Sequence, residues 1–483
     1  MSALARRLWD SPTVTTWGSL LVRLATMVVV LPLVLVRFAP ADVALWQLFS
    51  TLFLLALMLD FGLAPTFARM LSFARGGATL ADMRGMAQPA TQLSRPADPA
   101  VLAALVSSLR WLYPRMAIGA VLLLALLGTA ALMRPVAQTA DPQAAWLAWG
   151  VVLASTGVGL WGGVYSAALQ GMDKIALMRR WEVATGLAQI GSSAAVLALG
   201  GGLLALIVAS QAWVVVGALR NRWLLARSHP AVFAVAPARQ PDVLRLLWSP
   251  AWRSGLGVLM SHGLIQASGL VYSQLAPAAE VAAYLLALRL ILVISQFCQA
   301  PFYSKLPRLA ELHAAGCHNE QLRLAQRGMR LAYWVFVVGA LVVAVGVPPL
   351  LQAIGSRIEF VSPGVWALLA LAFFAERIGA MHLQLYSLTN HIVWHIANGL
   401  TGLSVLALAI GLYGRFNVLA FPLAMLVSYS LFYCTYSLYL SSRAFSIHLR
   451  RFEARTSMGP AACLFAGLFM AVYFFPPRNA LLP

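Results

Sequence analysis

The sequence predicts an all-α, polytopic membrane protein with 12–13 transmembrane helices in two six-helix lobes. Three observations predict it. The 483 residues are 61% hydrophobic and 10% charged, where a soluble chain carries about 25% charged residues. The apolar residues gather into thirteen runs, most of them near the roughly 20 residues that cross the hydrocarbon core. Lys and Arg crowd every second gap between those runs and nearly avoid the others.

The first lobe takes its spans at 16–38, 43–63, 114–133, 144–169, 181–199 and 203–219. The second takes them at 255–276, 281–302, 331–354, 364–388, 392–412 and 418–440, and a shorter thirteenth run lies at 460–475. All must be helices, because open strands leave backbone groups unsatisfied in lipid. The first is not a cleaved signal peptide: it exceeds a signal h-region and a dozen spans follow it. Residues 88–99 carry Pro89, Pro96 and Pro99 and read as a loop, and 101–111 as a short amphipathic helix on the membrane surface. The proline-rich stretch after the sixth span separates the lobes. The domains are therefore 1–220, an inter-lobe linker at 221–254, a second lobe at 255–441, and a basic segment with the thirteenth run at 442–483.

Of the 34 Lys and Arg, twenty-six fall on one side, five on the other and three inside spans. The basic side is cytoplasmic, which puts the N-terminus inside. The C-terminus is outside if 460–475 spans, and inside if it does not. The net charge of +19 is then a topology signal and a set of contacts for anionic phospholipids, not a nucleic-acid surface. The four cysteines are scattered, with no zinc or disulfide spacing.

The lobes resemble each other weakly. Ala64-Pro65 with Arg69 matches Ala300-Pro301 with Lys305, Arg110 and Tyr113 match Arg330 and Tyr333, and Tyr165-Ser166 matches Tyr386-Ser387. Six spans is an even number, so both lobes enter the membrane alike. A parallel repeat of this kind places a substrate site between them near the midplane.

Ionisable residues inside spans are costly and mark function. Arg289 lies about eight residues into the eighth span, Arg23 about seven into the first, and Glu376 and Arg377 half-way along the tenth. Neighbours on a helix point in different directions, so Glu376 and Arg377 are each expected to find a partner elsewhere. Asp60 is expected to meet an Arg or a helix terminus, and Glu182 to pair at the surface with Arg179 or Arg180. His262 and His382 lie within spans, where a lone histidine is more often hydrogen-bonded packing than a proton relay. His391 and His395 lack the Glu of a metalloprotease motif, and no metal site is expected. No P-loop, nucleophile–base pattern or catalytic carboxylate pair is present, so neither an enzyme nor an ATP-driven pump is expected.

Three stretches carry a family resemblance: Asp60-Phe-Gly-Leu-Ala-Pro65 with Arg69, Leu169-Gln-Gly-Met-Asp-Lys174, and Gln266-Ala-Ser-Gly-Leu270 followed by Tyr284-Leu-Leu-Ala-Leu-Arg289 and Lys305-Leu-Pro307. With them the chain resembles the polysaccharide-type, Wzx-like O-antigen flippases of the multidrug/oligosaccharidyl-lipid/polysaccharide (MOP) superfamily. The resemblance implies a MATE-like V of two lobes in the bacterial inner membrane. It implies translocation of an undecaprenyl-diphosphate-linked oligosaccharide from the cytoplasmic to the periplasmic leaflet by alternating access. Polysaccharide polymerases and glycosyltransferases would be its partners. No cofactor is implied, and H+ or Na+ would be the coupling ion. Arg holds phosphate oxygens bidentately and stays protonated. On this reading Arg289, Arg23 and Arg377 contact the diphosphate, while Glu376, Asp60 and His262 serve gating or coupling. The alternative is a cation-coupled multidrug antiporter of the same superfamily, which would depend on Glu376 or Asp60. A membrane glycan polymerase or ligase fits poorly, because every outer gap is about ten residues or fewer.

Overall fold

A computed structural model describes residues 12–85, 96, 98–314, 317–389 and 393–474. It is helical throughout, with no strand among the described residues. The chain divides into two compact units, Met1–Leu259 and Met260–Pro483.

The first unit contains α1 (Pro12–Arg37), α2 (Pro40–Met58), α3 (Leu63–Arg75), α4 (Pro99–Ala137), α5 (Pro142–Gly171), α6 (Ile175–Ala198), α7 (Leu203–Ser228) and α8 (Pro241–Val258). A π-helical turn, Leu259–Gly263, follows α8. The second unit contains α9 (Leu264–Ser273), α10 (Ala278–Cys298), α11 (His318–Ala353), α12 (Pro363–Tyr386), α13 (Trp394–Phe416), α14 (Ala420–Ser428), α15 (Thr435–Phe445), α16 (Leu449–Thr456) and α17 (Met458–Phe474). A second π-helical turn, Tyr429–Cys434, joins α14 to α15.

Among the described residues, each of the thirteen apolar runs is mostly helical. Among the described residues, eight helices are long and apolar enough to cross a membrane, and nine if α16 and α17, bent by 52°, form one span. One of the eight, Ile396–Phe445, holds the eleventh and twelfth runs, and the 3-10 turn Asn417–Leu419 interrupts it where Asn417 takes φ 47°. The fifth run, in α6, is not among the eight; Glu182, Gln189, Ser192 and Ser193 dilute its apolar stretch. The outward surface is oily: Leu122 and Leu126, one turn apart on α4, are 65% and 70% exposed. A water-facing helix would put charge there, so this face is built for lipid. The chain is a multi-pass membrane protein.

The two units repeat one packing scheme. In the first, α1 packs on α6, α2 on α4, α4 on α5, α5 on α7, and α6 on α7. In the second, α9 packs on α13, α10 on α11, α11 on α12, α12 on α15, and α13 on α14. Taking spans in order, these are the same pairs in each six-span set. Helix α17 has no counterpart in the first unit and lies against α11 and α12.

Four expectations change in detail. The surface helix expected at 101–111 is the first third of α4, which runs unbroken through Pro114. Proline removes one ladder hydrogen bond, but Leu102, Leu105, Leu109 and Tyr113 form one continuous buried stripe that holds the helix on course. The linker expected at 221–254 is mostly helical, since α7 runs on to Ser228 and α8 begins at Pro241. The second span ends at Met58, not Leu63. There Phe61 and Gly62 take φ 49° and 70°, an elbow from which α3 sets out in a new direction. Gly255 of α8 touches that elbow so closely that a Cβ would lie 2.2 Å from the Phe61 Cα. The seventh span is interrupted by the π turn after α8, where one extra residue per turn disrupts the regular ladder.

Candidate functional site

Polar side chains converge inside each unit. In the first unit, α1, α5, α6 and α7 enclose a cavity of about 380 Å³. Each helix offers one stripe at helical spacing: Ser19, Val22 and Thr26 from α1, Gly159, Gly163 and Ser166 from α5, and Glu182, Thr185 and Gln189 from α6. Glycines let the helices approach. A Cβ on Gly162 would lie 2.5 Å from that of Ala218, and one on Gly186 would lie 2.6 Å from Val22.

Arg220 of α7 lies at this cavity. Its Nη1 donates to Thr185 Oγ1 at 2.7 Å, and its Nε and Nη2 donate to Asn221 Oδ1 at 3.1 and 2.9 Å. Both acceptors are neutral oxygens. Guanidinium has five N–H donors and no acceptor, and Arg220 forms no ion pair among the described residues. The nearby carboxylate, Glu182, is taken by Arg179 at 2.6 Å. Glu182 thus makes the surface pair expected of it and lines the cavity as well. Trp213 donates its indole N–H to Ser192 Oγ at 3.0 Å, and Gln189 donates to the Ser210 carbonyl at 3.2 Å. The cavity therefore combines a cation with no direct ion pair among the described residues, a carboxylate already held by Arg179, hydroxyls, amides and an indole.

The second unit solves intramembrane charge differently. Arg377 donates Nε and Nη2 to the two oxygens of its neighbour Glu376, at 2.6 and 2.5 Å. Its Nη1 reaches the Ser295 carbonyl and Gln299 Oε1, both at 3.3 Å, at the end of α10. This corrects the expectation that adjacent helix residues do not pair. The spacing rule describes Cβ directions, but the Arg377 side chain is long enough to fold back, and fork-to-fork geometry in a low-dielectric interior rewards it for doing so.

Arg289 sits on α10, six and ten residues before those contacts. That is about 9 and 15 Å along the axis at 1.5 Å per residue, so it does not share the Arg377 cluster. It is half-buried, beside the fully packed Leu288. Arg23 lies in α1 and His262 in the π turn, but their side chains fall outside the described residues, as do those of His391 and His395.

Asp60 meets a helix terminus. Its Oδ2 accepts the Ala64 N–H at 2.9 Å and so caps α3. Its Oδ1 and the Tyr113 hydroxyl are buried without a hydrogen-bond partner. Burial pushes the Asp60 carboxyl above the ordinary carboxylate range, against the lowering effects of Tyr113 and the Ala64 amide.

Sequence reasoning missed two features. Arg220 stands one residue beyond the sixth apolar run and was grouped with the loop cations, although it stays within the helix. A cluster on His382, described below, joins residues from three helices that no local pattern connects.

No protein-family profile matches the chain, and no curated protein matches it. Solved structures do. A multidrug resistance MATE family transporter of the MOP superfamily, in an inward-facing conformation, gives a TM-score of 0.66 at 13% identity, over 87% of this chain and 94% of that one. The lipid II flippase MurJ, in an inward closed conformation, gives 0.58 at 11%, over 96% and 100%. The MATE multidrug transporter DinF-BH in complex with R6G gives 0.56 at 15%, over 91% and 97%. At these identities the likeness establishes the fold, which is that of the MATE-like polytopic transporters.

Proposed function

We propose that this protein is a flippase that moves an undecaprenyl-diphosphate-linked oligosaccharide from the cytoplasmic to the periplasmic leaflet of the bacterial inner membrane by alternating access. The observation that carries the reading is Arg220: a permanent cation whose described partners are all neutral, beside a cavity of hydroxyls, amides and an indole. Phosphate oxygens need the first and sugar hydroxyls the second. Arg289 and Arg23 are further diphosphate contacts in this reading. Arg377 joins them only by exchanging Glu376 for phosphate, which makes Glu376 the gate. Asp60 and His262 are assigned to gating and coupling, with H+ or Na+ as the coupling ion. Anionic phospholipids, glycosyltransferases and a polysaccharide polymerase would be its neighbours in the membrane.

A cation-coupled multidrug antiporter is the second reading, since two of the matching structures are multidrug transporters by title. Cation coupling needs an available carboxylate: Glu376 holds an arginine, whereas Asp60, with one oxygen unpartnered, is the acid this second reading would use.

The test is depletion of the protein in its host, followed by radiolabelling and enzyme accessibility of the lipid-linked oligosaccharides. Accumulation on the cytoplasmic leaflet is the expected result. An unchanged pool, with no redundant flippase, together with drug sensitivity would replace this reading by the antiporter. Arg289→Ala is expected to abolish translocation while leaving the protein in the membrane.

A further inference from the structure

His382 of α12 is fully buried, and both ring nitrogens are engaged by other helices. Its Nδ1 lies 2.7 Å from Ser441 Oγ on α15, and its Nε2 lies 2.8 Å from Glu453 Oε1 on α16. The second oxygen of Glu453 accepts from Ser457 at 2.6 Å and Thr456 at 3.3 Å. The edge of the ring meets Phe452, with centroids 5.6 Å apart. The order Ser–His–Glu is that of a hydrolase triad, but Ser441 is 0% exposed and no acyl group could reach it.

The hydrogen-bond inventory gives the cluster a different capacity. Ser441 Oγ lies near two acceptors for its one proton: His382 Nδ1 at 2.7 Å and the Leu438 carbonyl at 3.2 Å. With His382 neutral, Nε2–H donates to Glu453 and the Ser441 hydroxyl donates to Nδ1. With His382 charged, Nδ1–H donates to Ser441 Oγ, the hydroxyl turns to the Leu438 carbonyl, and Nε2–H remains on Glu453. Every polar atom is satisfied in both states, and only a hydroxyl rotation separates them. The imidazolium forms against the Glu453 carboxylate, so the pair carries no net charge once the proton is taken up.

We infer that His382, Ser441 and Glu453 form a proton-binding site in the second unit. The incoming proton bonds to Nδ1, no bond to Nε2 breaks, and no other group is consumed. The other titratable groups facing the cluster are Tyr333 from α11 and Cys434 from the π turn before α15, both within electrostatic reach of Glu453. Arg443 on α15 and Arg450, Arg451 and Arg455 on α16 are exposed, and none pairs with Glu453 among the described residues. The site fastens α16, and with it α17, to α12. Its charge state therefore bears on the helices that have no counterpart in the first unit. That this proton is the coupling ion rests on the transporter reading; that the site binds one does not.

The test is a pH titration of the full-length protein in detergent with 15N-labelled histidine. The His382 signal is assigned by its absence in His382→Gln or, if that variant does not fold, by its contact with the Phe452 ring. The expected result is conversion from the neutral to the doubly protonated form as the pH falls, while the protein stays folded. Glu453→Gln is expected to weaken proton binding about tenfold or more. A His382 that stays neutral until the protein unfolds overturns the proposal, and so does one that titrates identically in a folded Glu453→Gln protein. Titration of His382 in a protein whose depletion leaves the lipid-linked pool unchanged supports the site and removes the flippase. A translocating protein whose His382 never titrates does the reverse.

Discussion

Both units carry an arginine in a polar cluster, and they treat it in opposite ways. Arg377 is matched oxygen for nitrogen by the residue beside it. Arg220 hydrogen-bonds only a hydroxyl and an amide among the described residues, and the carboxylate within electrostatic reach, Glu182, is held by Arg179. A buried cation with its counter-ion is closed to ligands until that counter-ion leaves. A cation satisfied by neutral dipoles keeps its charge available to an incoming anion. Two units built on one packing scheme thus carry a latched charge and an open one.

The largest expected effect breaks the latch. Glu376→Gln leaves Arg377 half of its hydrogen bonds and no counter-charge, and should cost about 3–5 kcal/mol in melting of the detergent-purified protein. Adding Arg377→Met should restore most of it. If Glu376→Gln melts like the wild type, the pair is not what satisfies Arg377. Next is Arg220→Ala, which should reduce translocation about ten- to hundredfold, the worth of one charge-assisted contact at about 1.5–3 kcal/mol, with little loss of stability. Arg220→Lys should retain part of the activity. Equal activity in all three proteins would erase the contrast between the units. Smaller again is Glu182→Gln, which loses the partly exposed pair with Arg179 and should change stability by about 0–1 kcal/mol.

The smallest effect is a slope. Because burial raises the Asp60 carboxyl, the folded state holds that proton more tightly than the unfolded chain does. Stability from this group is full below the ordinary carboxylate range and falls as pH rises through that range to the raised value. Asp60→Asn keeps the cap on Ala64 and should remove this part of the decline. Parallel melting curves for the two proteins across that range would show that Asp60 is not the titrating group.

Much of the fold was legible because bilayer crossing imposes length and apolarity on each run separately. The matching Ala-Pro and Arg/Tyr signatures likewise pointed to the repeat that the helix pairings display. What hydropathy could not place were the polar details. It ends the sixth run at Leu219 and so counts Arg220 with the cations between runs, although the same helix carries it. It drew the second span through Asp60, where Phe61 and Gly62 break the helix by backbone conformation rather than by polarity. The Glu376–Arg377 pair depends on side-chain rotamers, which spacing does not encode. Ser441 and Glu453 lie 59 and 71 residues from His382 in the chain, and only tertiary packing brings them to it.

A voltage across the bilayer does work on net charge, about 2.3 kcal/mol per elementary charge per 100 mV. The Glu376–Arg377 pair sums to zero within a few ångströms, so whatever path it follows, it is electrically almost silent. Arg220 carries its whole charge. Of the two, only Arg220 would answer to the resting potential of a cell if it moved within that field, and an anion bound to it would cancel the response.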